Sequence, residues 1–297
     1  MFRPDLRSHV SQNLCGTVAL LILLWSTTSS AETVRLTNGN WLPYLSEQPP
    51  HGFVSDIIRR AFALEGIDVE WGFFPWSRSY RLARDGHWDG TAAWSCSPDR
   101  AASFYYSAPI TPIRYVFFHR ADRTFDWQHA DDLRGLRVGL TQDYAYGDVI
   151  QQARDQGWIE TDTTTSDALN FRKLLAGRID LFPIDVRVGL QMLKNEFTPE
   201  EARQITYHPR MVHAAYLHLL LTRSLPGNRG RMAAFNDGLR QLRANGIVSQ
   251  LQPVQPLPRP LNQKTAEIAR HCRFNIQTAG QPATPERHDI VDPEFQN

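Results

Sequence analysis

Short apolar strands alternate with amphipathic helices along most of this chain, and that alternation limits its fold more than any other feature. Val34-Arg-Leu-Thr37 reads as a first strand. Ser55 sits where a helix N-cap belongs, ahead of a helix over 56–64 that Gly66 stops. Ile57, Ile58, Ala61, Phe62 and Leu64 fall on one face of that helix. A second strand over 69–72, a second helix over 77–84 and a third strand over 90–94 follow. Beyond the charged stretch 120–132 the pattern resumes. Strands are expected at 136–140 and 179–182, with helices at 146–155 and 168–176. The apolar run Ala214-Ala-Tyr-Leu-His-Leu-Leu-Leu221 reads as a buried strand and 232–245 as a last helix. Such alternation predicts an α/β fold whose sheets are mainly parallel and flanked by helices. At 297 residues the chain also exceeds what one small core needs, which favours two lobes.

The first 31 residues have the make-up of an export signal. Arg3 and Arg7 precede the apolar run Thr17-Val-Ala-Leu-Leu-Ile-Leu-Leu-Trp25, and the small residues Ser29 and Ala31 mark a cleavage site. The run is too short for an ordinary membrane-spanning helix. Without this leader the 32 basic and 31 acidic side chains become 30 and 30, a balance that argues against nucleic-acid binding. Cys96 and Cys272 are then an even pair in an oxidising compartment, which permits one disulfide or two buried thiols. No Cys-x-x-Cys occurs and the ten histidines lack ligand spacing, so no metal or cofactor is expected. Past Gln252 four prolines break regular structure, and 253–297 reads as a polar C-terminal tail.

Two charged residues stand out. Arg100 closes Ser95-Cys-Ser-Pro-Asp-Arg100, and its planar fork suits a carboxylate. Asp185 lies just beyond Gly177-Arg-Ile-Asp180 and suits an ammonium, although an acid after a strand often caps the next helix instead. Asp89 and Asp180 read as turn-fixing residues. His213 and His218 read as core histidines, and Trp76 and Arg78 as structural or surface residues. No nucleophile elbow, zinc-protease motif or phosphate loop occurs, and no catalytic residue is assigned.

From about 33 to 250 the chain resembles the family 3 extracellular solute-binding proteins, the type II periplasmic binding fold used with ABC importers. The resemblance rests on six motifs in order: Trp41-Leu-Pro-Tyr44, Gly52-Phe-Val-Ser-Asp56, Gly86-His-Trp-Asp-Gly90, Ser97-Pro-Asp-Arg100 with Tyr106-Ser-Ala-Pro109, Leu136-Arg-Val-Gly-Leu140 and Gly177-Arg-Ile-Asp180. It implies one lobe from 32–117 and 214–252 and a second from 118–213, joined by hinge strands near 115–119 and 214–219. It also implies a monomeric periplasmic protein that holds a small solute, an amino acid or a related compound, and passes it to an inner-membrane permease. Arg100 then takes the ligand carboxylate, Ser95 offers a hydroxyl, and Asp185 meets the ammonium. Trp41 and Trp94 sandwich the ligand, with Tyr44 and Tyr144 as further walls. One segment departs from the amino-acid binders. Gln142-Asp-Tyr-Ala-Tyr146 replaces their Gly-Thr-Thr/Ser, and Asp143 there opposes a carboxylate. A dehydratase resembling cyclohexadienyl dehydratase and a ligand-sensing module are the alternatives, the first requiring a general acid over the bound ring.

Overall fold

The computed structural model describes residues 32–253. The export signal, the tail and Cys272 lie outside the described residues. The leading half of the chain supplies β1 (Glu32–Asn38), α1 (Phe53–Ala63), β2 (Ile67–Phe73), α2 (Trp76–Arg84), β3 (Gly90–Trp94), α3 (Pro98–Ser103) and β4 (Phe104–Tyr106). The long strand β5 (Thr111–Arg120) leads into β6 (Leu136–Thr141), α4 (Gly147–Asp155), β7 (Ile159–Thr164), α5 (Asp167–Leu175), β8 (Phe182–Asp185), α6 (Val186–Glu196) and α7 (Pro199–Arg203). The 18-residue strand β9 (Ile205–Thr222) returns, and α8 (Asn228–Ala244) and α9 (Ile247–Leu251) follow.

Parallel pairing occurs in each half, between β1 and β3 and between β6 and β7. Antiparallel strands join the halves. One sheet runs β2-β1-β3-β9-β5-β8, with β4 also on β9. Within it β9 pairs with β3 and β4 near its C-terminal end and with β5 along most of its length. Both long strands therefore thread the whole molecule.

The halves share one device for returning a helix to its strand. Gly86 and Gly177 adopt left-handed φ of 77° and 66°, a conformation glycine reaches without a Cβ penalty. Three residues later Asp89 accepts a bond from the Arg35 N–H at 2.7 Å, and Asp180 accepts from the Arg137 N–H at 2.9 Å. Both acids fix turns, and Asp89 also pairs with Arg231 at 2.8 Å.

The core confirms the apolar periodicity and corrects some boundaries. Ile57, Ile58, Ala61 and Phe62 are buried, and Phe62 meets Phe235 of α8 at 5.2 Å. Gly238 lets α8 approach the Ala61 carbonyl, which any Cβ there would strike. The helix starts at Gly52, not at Ser55. The Ser55 hydroxyl is spent instead on Asn38, which donates to it at 3.2 Å and ties α1 to β1. The strand expected at 179–182 is divided: Leu181 bridges Val138 of β6, and the ladder with β5 begins only at Phe182. His218 is buried and bonds the Ser107 carbonyl at 2.8 Å, a satisfied core histidine.

Candidate functional site

One wall of the main cavity is made by a flaw in β3. Thr91 faces Leu220 on β9 but Trp94 faces His218, so β3 carries an extra residue, a β-bulge. Ala93 takes it up with a left-handed φ of 63°. The bulge re-aims Trp94, whose indole N–H donates to Thr91 Oγ1 at 2.8 Å. Beyond it, Pro98 opens the short helix α3, where its missing N–H costs nothing. Arg100 on that helix folds back. Its Nη1 donates to the Ser95 carbonyl at 3.1 Å, and its guanidinium carbon lies 4.8 Å from the Trp94 ring centroid. No acid pairs with Arg100 among the described residues. Cys96 in the same turn is disulfide-bonded.

The facing wall is the loop after β6. A buried carboxyl, Asp167, shapes it. It accepts from Thr141 Oγ1 at 2.6 Å and from the Tyr144 hydroxyl at 2.9 Å, while Asn170 donates to Thr141 Oγ1 at 3.1 Å. Burial raises the Asp167 pKa, against the pull of these hydroxyls and of the nearby Trp41 indole. That indole N–H is buried and falls short of hydrogen-bond geometry. Asp143 lies in the middle of the loop with a left-handed φ of 66°, exposed.

Aromatic rings close the remaining sides. Trp41 stacks on Tyr44 at 4.9 Å and meets Tyr144 edge-on at 6.2 Å. Trp76, at the start of α2, meets Trp94 edge-on at 5.4 Å. A Cβ at Gly39 would come within 2.6 Å of Trp76 Cε2, so glycine there makes room for this ring. Ile113 and Tyr115 of β5 and Leu217 of β9 complete the lining. Together these residues line a narrow, half-open cleft with about 60 Å³ of free volume. Among the described residues no group of metal-ligating side chains occurs, and no helix is long and apolar enough to cross a membrane.

The structure gathers Trp41, Trp94, Ser95, Arg100 and Tyr144 around this one cavity. It places Asp185 and Tyr44 elsewhere. Asp185 is 1 % exposed and caps α6, accepting from the N–H groups of Arg187 at 3.0 Å and Val188 at 3.2 Å. It also accepts from the Tyr44 hydroxyl at 3.0 Å and the Arg114 N–H at 2.8 Å. Its carboxyl is fully occupied inside the protein, which is the helix-capping role the sequence also allowed.

Sequence comparison gives this architecture a family. The profile of the bacterial extracellular solute-binding proteins, family 3, matches residues 36–253. This chain belongs to that family. A search of curated protein sequences finds no match. Among solved structures, this solute-binding protein is similar to a histidine kinase sensor domain described as resembling periplasmic binding proteins. That match has 20% identity and a TM-score of 0.62, covering 74% of this chain and 95% of the other. The substrate-binding protein of an amino acid ABC transporter matches at 14% identity and a TM-score of 0.59, covering 74% and 96%. An ancestral amino acid-binding protein, AncCDT-1, described as a precursor of cyclohexadienyl dehydratase, matches at 18% identity and a TM-score of 0.59, covering 74% and 92%. At these identities the likenesses establish the shared fold.

Sequence reasoning did not single out several lining residues of this solute-binding protein, Trp76 among them. Trp76 had a signal in the aromatic run Phe73-Phe-Pro-Trp76, but it read as structural. Asp143 read as part of the 142–146 loop that the second lobe brings to the cleft, and there as an obstacle to a carboxylate.

Proposed function

We propose that this protein captures a small polar solute, an amino acid or a related compound, in the Arg100 cavity and hands it to an inner-membrane ABC permease. One observation carries the reading: Arg100 is held in place by Trp94 and the Ser95 carbonyl, yet no acid among the described residues neutralises it. A fixed guanidinium on the lining of this cleft is a ready partner for a solute carboxylate. Trp94, Ser95 and Arg100 belong to one lobe (32–117 and 214–252), and Tyr144 to the other (118–213). The stretches 115–119 of β5 and 214–219 of β9 act as hinges, and a solute that touches both walls shifts the lobes toward closure. The leader ending near Ala31 places the mature monomer in the periplasm.

The likeness to a kinase sensor domain favours a second reading, in which the loaded protein reports the solute to a membrane receptor. Loss of solute uptake on removing the protein supports import, whereas intact uptake with a lost response supports sensing. The dehydratase alternative predicts turnover of arogenate or prephenate, and such turnover would replace the binding reading.

A thermal-shift screen of amino acids, amines and small carboxylates on the mature chain identifies the solute, because a ligand of the folded form raises its melting point. Arg100→Ala should then weaken a carboxylate-bearing solute by about 2–5 kcal/mol in calorimetry. Unchanged affinity would remove Arg100 from the site.

A further inference from the structure

The cavity contains one acid whose purpose the fold does not explain. Asp143 has no hydrogen bond or ion pair within the described residues, and it holds a left-handed backbone conformation that aspartate and asparagine adopt more readily than other side chains do. Loop aspartates normally serve the backbone around them. Asp126, for example, accepts from the Trp127 N–H at 2.8 Å, and Asp132 from the His129 N–H at 2.8 Å. The loop around Asp143 is instead fastened by Asp167 through Thr141 and Tyr144. Asp143 therefore lines the cavity with no internal partner for its charge among the described residues.

We infer that Asp143 is the counter-ion for an ammonium or guanidinium group of the solute, so that the cavity selects a zwitterion with its carboxylate at Arg100. The inference rests on the solute-binding reading above and narrows it to a chemical class. Four further observations agree. Arg100 and Asp143 are the two charged residues of the lining, and neither has an oppositely charged partner among the described residues. Asp185, the other candidate for an ammonium, is consumed by Tyr44, the Arg114 N–H and the α6 cap. Of the indoles, Trp94 already carries Arg100 near its ring, which leaves Trp41, Trp76 and the Tyr144 ring to pack around a cation. The two hollows beside the cavity add Glu47, Asp167 and Glu196 and no lysine or arginine, so their field draws cations inward. A dicarboxylate would set its second charge against this acidic side.

The test uses the mature chain and a fixed set of probes: L-arginine, γ-aminobutyrate and glycine betaine as zwitterions, and succinate as the anion without a cation. At least one zwitterion is expected to raise the melting temperature, and succinate is not. For the zwitterion that binds, Asp143→Asn and Arg100→Ala should each lower affinity at least tenfold by calorimetry. Asparagine suits the left-handed position, and an unchanged melting temperature of unliganded Asp143→Asn verifies its fold. Full affinity in Asp143→Asn beside a loss in Arg100→Ala overturns the inference and leaves the solute-binding reading intact, as does a preference for succinate. Silence from every zwitterion overturns the class. Full affinity in both variants removes the cavity reading itself.

Discussion

Two carboxylates with the same chemistry, Asp185 and Asp143, occupy opposite situations in this protein. Around Asp185 four donors converge from β5, the α6 backbone and the Trp41–Leu45 turn, and the group is closed to solvent. Around Asp143 none does among the described residues, and it lines a cavity that also holds a guanidinium with no acid partner among them. The first is architecture: it fastens Tyr44 to residues 141 positions away. The second is the cation site inferred above, on the reasoning that charge without an internal partner is charge available to a ligand. A short motif cannot tell the two situations apart, since both acids follow a strand and precede a helix.

The sharpest way to break this contrast is Asp185→Ala. It should destabilise the fold by about 3–5 kcal/mol in denaturant unfolding, through the lost cap and the buried donors left unpaired. A cost below about 1 kcal/mol would mean that the knot is not structural. Next in size is a pH effect on the cavity wall, where His218 stands opposite Trp94 on β9. Burial lowers its pKa from 6.5 to about 4, and the same holds for His213. The unfolded imidazole therefore binds a proton that the folded one refuses, so stability is present above about pH 6.5 and is lost as pH falls toward about 4. His218→Gln should remove up to about 3 kcal/mol of that acid loss relative to the parent. Parallel pH profiles of the two proteins would contradict it. Tyr44→Phe deletes one donor while the α6 N–H groups still serve Asp185, and about 1 kcal/mol of stability should go with it. Smallest is Arg100→Ala without ligand, which should change unfolding stability by less than about 1 kcal/mol, because only the Trp94 contact and one hydrogen bond are lost. A larger loss would place Arg100 with Asp185, among the structural charges.

Much of the fold was legible in the residues. The apolar face of α1, the two Gly-x-x-Asp turns and the alternation of strands and helices follow from periodicity and local turn chemistry, which act over a few residues. The boundaries were less so. Ser55 has the right chemistry for a cap, but Gly52 reaches φ 83° and starts the helix three residues earlier, freeing Ser55 for Asn38. The apolar run before Asp185 divides between partners on β6 and β5, a choice that no local pattern encodes. Of the site, the Ser95–Arg100 block and its neighbour Trp94 were visible as a motif. Trp76 was not, because its place depends on Gly39 leaving room for the ring.

The amino-acid order alone settled the α/β alternation, the family and Arg100 as a charge worth following, since these are carried by short-range pattern. Which charges are silenced and which stay free was decided only when distant segments met. A carboxyl keeps its charge for a ligand only if no donor from elsewhere in the chain reaches it, and that depends on three-dimensional packing.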